Sequence, residues 1–178
     1  METPEPMVGL AHGTITAVWA SPTHTMAKAQ QPVLRLITGF GIEGDVHSGD
    51  DEDNLRQVHL LGVECHAALR IVGYHLQPGQ MGENVTTSGI ALTALPAGAW
   101  LHLGESAVVE VTGQRFPCRQ LEGVAPGLLA AVLDRDDRGN LVRNVGIMAK
   151  VVANGSIRPD DPVKVELPPI PHQPLLFL

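Results

Sequence analysis

The chain has 178 residues and a formal net charge of −7, and 3% of its residues are aromatic. The negative charge and the scarcity of aromatic side chains exclude the basic, stacking surfaces that nucleic-acid binders use. The amino terminus lacks the basic and apolar regions of a secretory signal, and no apolar run reaches membrane-spanning length. We therefore expect a cytoplasmic protein that contacts neither nucleic acid nor membrane.

The composition also predicts the organisation of the chain. Nineteen glycines and fourteen prolines in a chain that is 44% hydrophobic are typical of short strands joined by tight turns. Its two cysteines, Cys65 and Cys118, match no zinc-ribbon or disulfide framework, which predicts free thiols. We predict a flexible leader at 1–8, one domain at 9–166 and an extended tail at 167–178.

Two strands and a glycine-rich segment begin the domain. Residues 9–20 and 33–37 have the alternation and β-branched content of strands. In the segment that follows, one residue separates Asp45 from His47, which would place both on the same face of an extended backbone. A ligand site and a simple turn both fit this segment. The acids at 50–53 lack the spacing of a calcium loop and predict a solvated loop.

A helix is predicted at 62–73, directly after a strand at 57–61. Apolar side chains recur there at helical spacing, and Gly73 suits the left-handed end of a helix. Cys65 lies on the apolar stripe, so we interpret it as packed rather than reactive. His66 lies on the flank of that stripe and is predicted at the surface.

Residues 77–88 combine a Pro-Gly turn with an unusual density of hydrogen-bonding groups. Backbone N–H groups around Gly82 could line an anion. The side chains of Glu83, Asn84 and Thr86 could orient a polar ligand. A plain hairpin corner explains the same sequence equally well.

A lone cysteine behind a proline is the main candidate for chemistry. Strands predicted at 100–104 and 107–112 lead to this proline, which ends the ladder and presents Cys118 at a sheet edge. Arg115 and Arg119 lie close by, and such cations favour the thiolate, the form that attacks electrophiles, carries sulfur or binds a soft metal. A small buried cysteine is the alternative.

The rest of the chain completes a mainly β protein. A short helix is predicted at 126–133, and strands are predicted at 145–152 and 162–166. The proline-rich tail at 167–178 should lie extended over the domain or over a sister subunit, where it would support a homodimer. The predicted fold is mainly β with two or three short helices, in a closed, irregular β-barrel that removes exposed strand edges.

Taken together, four motif regions resemble the MOSC domain, the module also found at the carboxy terminus of molybdenum cofactor sulfurases. Gly41–His47, Pro78–Thr86, Arg115–Cys118 and a closing region within 146–161 have its order and approximate spacing. The resemblance runs from about residue 9 to residue 166. It implies a β-barrel of the MOSC type in a standalone member of the family.

The resemblance also implies a cofactor and its residues. Cys118 matches the family's cysteine, which ligates molybdenum through its thiolate or carries a persulfide. Asp45 and His47 match its Gly-Asp-x-His motif and are implied to be catalytic. The residues implied to bind the molybdenum cofactor, with the arginines as candidates for its phosphate, are Gly82, Glu83, Asn84, Thr86, Arg115, Arg119 and Arg143.

The implied function is a molybdenum-cofactor-binding oxidoreductase for small N-hydroxylated or similar substrates, with Asp45 handling a proton or a metal-bound water. The alternatives are a sulfur carrier or sulfurtransferase with a persulfide on Cys118, and a non-catalytic binding module. Pyridoxal phosphate is not expected because the chain has no room for the domain that holds it, and two cysteines cannot hold a four-thiolate iron–sulfur cluster. Either activity would need a separate electron-donor or sulfur-donor protein.

Overall fold

The computed structural model describes residues 12–135, 139 and 141–178, without the side chains of 134, 135 and 141–143. The leader predicted at 1–8 lies outside the described residues. The described residues form thirteen strands, three α-helices and a 3-10 turn at Leu92–Ala94. The strands are β1 His12–Ala20, β2 Ala29–Gln31, β3 Leu34–Ile37, β4 Gly41–Ile42, β5 Val58–Gly62, β6 Val85–Ser88, β7 Trp100–Leu103, β8 Ala107–Gln114, β9 Leu133–Arg135, β10 Leu141–Arg143, β11 Ile147–Ala153, β12 Gly155–Ile157 and β13 Pro162–Glu166. The helices are α1 Val63–Ile71, α2 Gln120–Val124 and α3 Leu128–Ala131.

Seven of the strands close into a barrel. Their order around it is β13, β7, β8, β11, β5, β6 and β1, and β1 pairs again with β13, where His12 lies opposite Lys164. All neighbours are antiparallel except β5 and β6, which are parallel and are connected through α1. Closure leaves these seven strands without a free edge along the ring. The closed β-barrel predicted from the sequence is confirmed.

The interior of the barrel is aliphatic because its strands alternate between buried and partly exposed positions. On β8, Val109 and Val111 are fully buried, whereas Glu110 and Thr112 are partly exposed. Each fully buried side chain of valine or leucine size stabilises the fold by about 2 kcal/mol relative to exposure. The largest members of this core are Ile15, Leu36, Ile42, Leu60, Leu101, Leu103, Ile147 and Ile157.

A second apolar cluster packs the helices against the barrel. It contains Leu69 of α1, Leu121 of α2 and Met81 of the turn before β6. Cys65 also belongs to it and is 5% exposed, which confirms the interpretation of this cysteine as packed. Because Met81 and Leu121 flank the two motifs at 82–86 and 115–118, the cluster holds both motifs to the same side of the molecule.

The helical predictions were correct in part. Gly73 follows α1 with a φ of +97°, as predicted for a left-handed helix end. The prediction that His66 lies at the surface was wrong, because its side chain is 3% exposed and bonded to Glu83. The helix predicted at 126–133 is limited to the four residues of α3. Helix α2 was not predicted, since five residues are too few to show helical periodicity.

The tail at 167–178 lies on the barrel and bends at 169–171. Gln173 accepts a backbone hydrogen bond from Ala97 at 2.9 Å, and Leu175 is 8% exposed. The predicted homodimer and the predicted domain boundaries stay predictions. None of the helices in the described residues has the length and apolar composition needed to cross a membrane.

We expect Gly146→Ala to destabilise the barrel much more than Gly73→Ala. Both glycines have a positive φ, +83° and +97°, so alanine carries backbone strain at either position. A Cβ at Gly146 would also collide with the Leu60 carbonyl of β5, whereas a Cβ at Gly73 meets nothing within 4 Å. Urea unfolding should show losses of about 3 kcal/mol or more for Gly146→Ala and about 1 kcal/mol for Gly73→Ala. Equal losses would contradict this account of the packing.

Candidate functional site

Loops from both halves of the chain surround a cavity of about 560 Å³. They are the β1–β2 loop, the loop before β5, the turn before β6, the segment after β8 and the tail. A volume of this size suits a small-molecule ligand. The lining residues are His24, Thr25, Met26, Lys28, His47, Asn54, Arg56, His59, Gly82, Asn84, Arg115, Phe116, Cys118, Gln120, Met148 and Leu178.

Cys118 lines this cavity on the segment between β8 and α2. Strand β8 ends at Gln114, and Pro117, which has no N–H to donate, helps to keep the segment out of the ladder. The thiol is partly exposed, and its Sγ lies 3.6 Å from Oε1 of Gln120. By contrast, the Sγ of Cys65 donates to the Asn144 carbonyl, and burial raises the pKa of the Cys65 thiol to about 12. Of the two cysteines, Cys118 is therefore the one that a ligand in this cavity can reach.

Arg115 places a buried cation beside the thiol. Arg115 is 9% exposed, and its guanidinium donates a hydrogen bond to the Met81 carbonyl and contacts Sδ of Met26 at 3.4 Å. Burial lowers the pKa of Arg115, and its electrostatic interactions with Cys118 and Glu83 oppose that effect. Within the described residues no carboxylate lies within 4 Å of Arg115. An anionic ligand in the cavity would therefore meet a cation that has no carboxylate of the described residues at salt-bridge distance.

Asp45 lies beneath the cavity and accepts five hydrogen bonds. Its Oδ2 accepts from Lys28 Nζ at 2.7 Å, Asn84 Nδ2 at 3.0 Å and Ser21 N at 3.2 Å. Its Oδ1 accepts from the backbone N–H of His47 at 3.1 Å and lies 3.2 Å from that residue's Nδ1. Burial would raise the pKa of Asp45, but the hydrogen bonds from His47 and Lys28 outweigh burial and hold it below its usual range. Asp45 is therefore ionised at neutral pH, and its hydrogen bonds hold the surrounding loops together.

Lys28 is the partner of Asp45 and was missed by the sequence analysis. Its side chain is 2% exposed, and its Nζ also lies 3.4 Å from Nδ1 of His47. Burial lowers the pKa of Lys28, and the adjacent carboxylate opposes this effect. Because the carboxylate accepts a full set of hydrogen bonds, we take the pair to be ionised. No local sequence pattern marks a lysine that pairs across seventeen positions.

The polar motif before β6 is divided between the cavity and the interior. Gly82 and Asn84 line the cavity. Glu83 is fully buried behind it, where it accepts from Gly79 N at 2.7 Å and bonds to His66 Nε2 at 2.9 Å. Burial would raise the pKa of Glu83, but these hydrogen bonds outweigh burial and lower it. Thr86 is also buried and accepts from the indole of Trp19, outside the cavity lining.

His59 of β5 is a second residue that the sequence analysis missed. Its backbone N–H donates to Oδ1 of Asn84 at 3.0 Å, and its Nε2 donates to the Val145 carbonyl at 2.7 Å. Burial lowers its pKa to about 3, and the charge of Arg115 adds to that effect. The imidazole is therefore neutral at physiological pH. The sequence places His59 in the strand predicted at 57–61, but its burial depends on the closed barrel, which no local pattern shows.

The cavity lining is basic although the chain as a whole is acidic. Lys28, Arg56 and Arg115 contribute cations, and among the described lining residues there is no carboxylate. The buried carboxylate of Asp45 forms an ion pair with Lys28. The acidic residues at 50–53 are exposed and outside the lining, as predicted for a solvated loop. The cavity is therefore electrostatically suited to an anionic small molecule.

The residues predicted from the sequence are brought together in part. Cys118, His47, Gly82, Asn84 and Arg115 line one cavity, while Asp45, Glu83 and Thr86 lie behind its surface. Arg119 is exposed and outside the lining. Arg143 lies in β10, and its side chain is outside the described part of the structure. The lining residues not singled out by sequence include His24, Lys28, Arg56, His59 and Met148.

A metal would need ligands beyond those that the protein places together. Among the described side chains, no group of three or more His, Cys, Asp or Glu residues could hold a metal ion. Cys118 alone offers a soft thiolate ligand within the cavity. This donor set fits a metal that arrives with most of its ligands already supplied by a cofactor.

Comparisons with known proteins agree with this fold. The family model described as the MOSC domain matches residues 43–164. The chain is also similar to several solved structures. The YuaD protein from Bacillus subtilis has a TM-score of 0.75 and 23% identity, over 92% of this chain and 100% of that one. YiiM from Geobacillus stearothermophilus has a TM-score of 0.67 and 18% identity, and the match covers 91% of this chain and 79% of that one. YiiM from Escherichia coli has a TM-score of 0.62 and 20% identity, and the match covers 90% of this chain and 73% of that one. At these identities the likeness shows the fold alone. No protein with a curated description matches the sequence.

We expect Lys28→Met to destabilise the protein by about 3 kcal/mol, because it leaves the buried Asp45 without its cationic partner. The matched control is Arg35→Met, which breaks an exposed ion pair with Glu43 and should cost less than about 1 kcal/mol. Urea unfolding at neutral pH measures both changes. Similar small losses would mean that the Lys28–Asp45 pair does not hold the loops.

We also expect His59 to make stability depend on pH. Its folded pKa of about 3 lies below the ordinary value of 6.5, so only the unfolded chain takes up a proton at this site between those pH values. The free energy of unfolding should therefore fall as pH falls from 6.5 towards 3. His59→Gln should reduce the slope across this window, measured by urea unfolding at several pH values. An unchanged slope would show that His59 is not buried in its neutral form.

Proposed function

Because the chain belongs to the MOSC domain family, we propose that it binds a molybdenum cofactor in this cavity and acts as an oxidoreductase with Cys118 as the protein ligand to the metal. The observation that carries the proposal is the presence, in one basic cavity, of a reachable thiol and a buried arginine that has no salt bridge among the described residues. A pterin-dithiolene cofactor combines a soft, sulfur-bound metal with an anionic phosphate. Its chemistry matches these two groups.

Arg115 holds the anionic part of the cofactor in this proposal. Arg115 is buried, and a hydrogen bond from its Nη1 to the Met81 carbonyl fixes the guanidinium at the cavity wall. A fixed, desolvated guanidinium binds phosphate oxygens more strongly than a mobile surface lysine does. Arg56 adds a second cation to the lining. The exposed position of Arg119 makes it a weaker candidate than Arg115 for the phosphate.

Asp45 takes a different role from the one that its motif implied. Its carboxylate is saturated with hydrogen bonds and has a lowered pKa, so it is poorly suited to accept a proton near neutral pH. We assign it the positioning of Lys28 and His47. The imidazole of His47 is 46% exposed and its Nδ1 faces Asp45, which leaves Nε2 to exchange a proton with a ligand.

The reaction follows from these roles. The cofactor supplies, when bound, a metal centre that exchanges two electrons with the substrate. Reduction of an N-hydroxylated substrate breaks its N–O bond, takes up two electrons and two protons, and releases an amine and water. A separate electron-donor protein supplies the electrons, His47 delivers one of the two protons, and the solvent supplies the other.

Cys118→Ser should remove most of the molybdenum from protein purified from a host that makes the cofactor, because a serine hydroxyl is a poor ligand for a soft metal. The matched control is Cys65→Ala, which changes the buried cysteine on α1 and should leave the metal content per folded chain unchanged. Elemental analysis measures the metal in each variant. Equal molybdenum in the wild type and Cys118→Ser would remove Cys118 as a ligand.

A sulfur-carrier function is favoured by one observation, the partial exposure of the Cys118 thiol next to Arg115. It predicts that a sulfur donor adds one sulfur atom to Cys118 and that no molybdenum is bound. Intact-mass measurement after incubation with a cysteine desulfurase and cysteine, on the wild type and Cys118→Ser, separates this function from the first. Sulfur that adds to the wild type alone, with no metal in either protein, would replace the oxidoreductase proposal.

A further inference from the structure

The end of the tail is built into the candidate site. Backbone hydrogen bonds join it to the segment that carries Cys118: Gln114 N donates to the Leu176 carbonyl at 2.8 Å, Leu178 N to the Gln114 carbonyl at 2.9 Å, and Phe116 N to the Leu178 carbonyl at 3.1 Å. Gln114 and Phe177 form a parallel bridge. Residues 176–178 therefore extend the barrel sheet beside the cavity.

Side-chain packing also holds the tail against Gly113 and Phe116. Gly113 of β8 has no Cβ, and a Cβ there would lie 2.6 Å from Cγ of Leu178 and 2.7 Å from the Leu176 carbonyl oxygen. The rings of Phe116 and Phe177 meet edge to face, with their centroids 6.3 Å apart. Such aromatic pairs stabilise a contact beyond the area that they bury. The tail is thus held by its backbone and by its side chains.

This position places Leu178 in the cavity wall. Leu178 lines the cavity together with Phe116, Met26 and Met148, whose side chains are apolar. The rest of the lining carries the cations described above. The cavity therefore offers both a cationic part and an apolar part to one ligand. An apolar part of this kind discriminates between ligands by the hydrocarbon that they bury.

We infer that Leu178 determines ligand specificity: it forms, with Phe116, an apolar wall that selects small molecules carrying a hydrocarbon group beside an anionic group. The anionic group binds at Arg115, and the hydrocarbon group packs against Leu178 and Phe116. This inference rests on the proposed use of the cavity as a ligand site. It does not depend on which metal or sulfur chemistry occurs at Cys118.

The test uses the full chain without cofactor and two probes that share a phosphate, methyl phosphate and phenyl phosphate. NMR titration gives the two dissociation constants, with the amides of Phe116 and Leu178 as reporters. Each buried CH₂ equivalent adds about fourfold in affinity, and we expect the phenyl ring to bury about two such equivalents more than the methyl group does, so the wild type should prefer phenyl phosphate by about tenfold. Leu178→Ala should reduce this preference to about threefold. Its backbone hydrogen bonds to 114 and 116 do not involve the side chain and should persist.

The matched control is Leu176→Ala, in the same segment but 71% exposed and outside the cavity lining. It should keep the wild-type preference. Arg115→Gln should weaken both phosphates by the same factor and leave their ratio unchanged. A wild-type ratio in Leu178→Ala, or no preference in the wild type, would overturn the inference. Failure of the metal proposal would instead appear as unchanged molybdenum in Cys118→Ser, with these ratios intact.

Discussion

The candidate site depends on the buried ion pair between Lys28 and Asp45. The carboxylate accepts hydrogen bonds from three loops that are distant in sequence: the loop after β1 through Ser21 and Lys28, its own loop through His47, and the turn before β6 through Asn84. Each of these loops contributes to the cavity lining. A single charged group therefore sets the relative positions of the loops, and the cavity exists in this shape because they converge on it.

The same pair controls the charge that a ligand meets. Burying two ions costs more free energy than an apolar contact of similar size, so this pair is not explained by stability alone. Since Asp45 neutralises Lys28, the cation left facing the cavity deep in its wall is Arg115. The neutral state of His59 follows in turn from its burial next to that guanidinium. The Lys28–Asp45 pair, Arg115 and the neutral His59 together set the electrostatics of the cavity.

The sequence predicted the barrel well because alternation and turn residues are local properties, and it separated the two cysteines because one lies on an apolar helical stripe. Lys28 could not be predicted, since its role arises from a contact that no local pattern records. His66 was misplaced because a nine-residue helix buries part of its polar flank against Glu83. The motif containing Glu83 and Thr86 was recognised, but which members face the cavity depends on how the turn folds.

Closure of the barrel through β1 and β13 determines when the site can form. These two strands come from opposite ends of the described chain, and contacts between distant segments form slowly during folding. Until β13 has been synthesised, β1 keeps an unpaired edge, the kind of surface that promotes association between incomplete chains. Leu178 joins the wall later still. The binding site can therefore be complete only after β13 and Leu178 have been synthesised, and a chain interrupted before β13 should lack it.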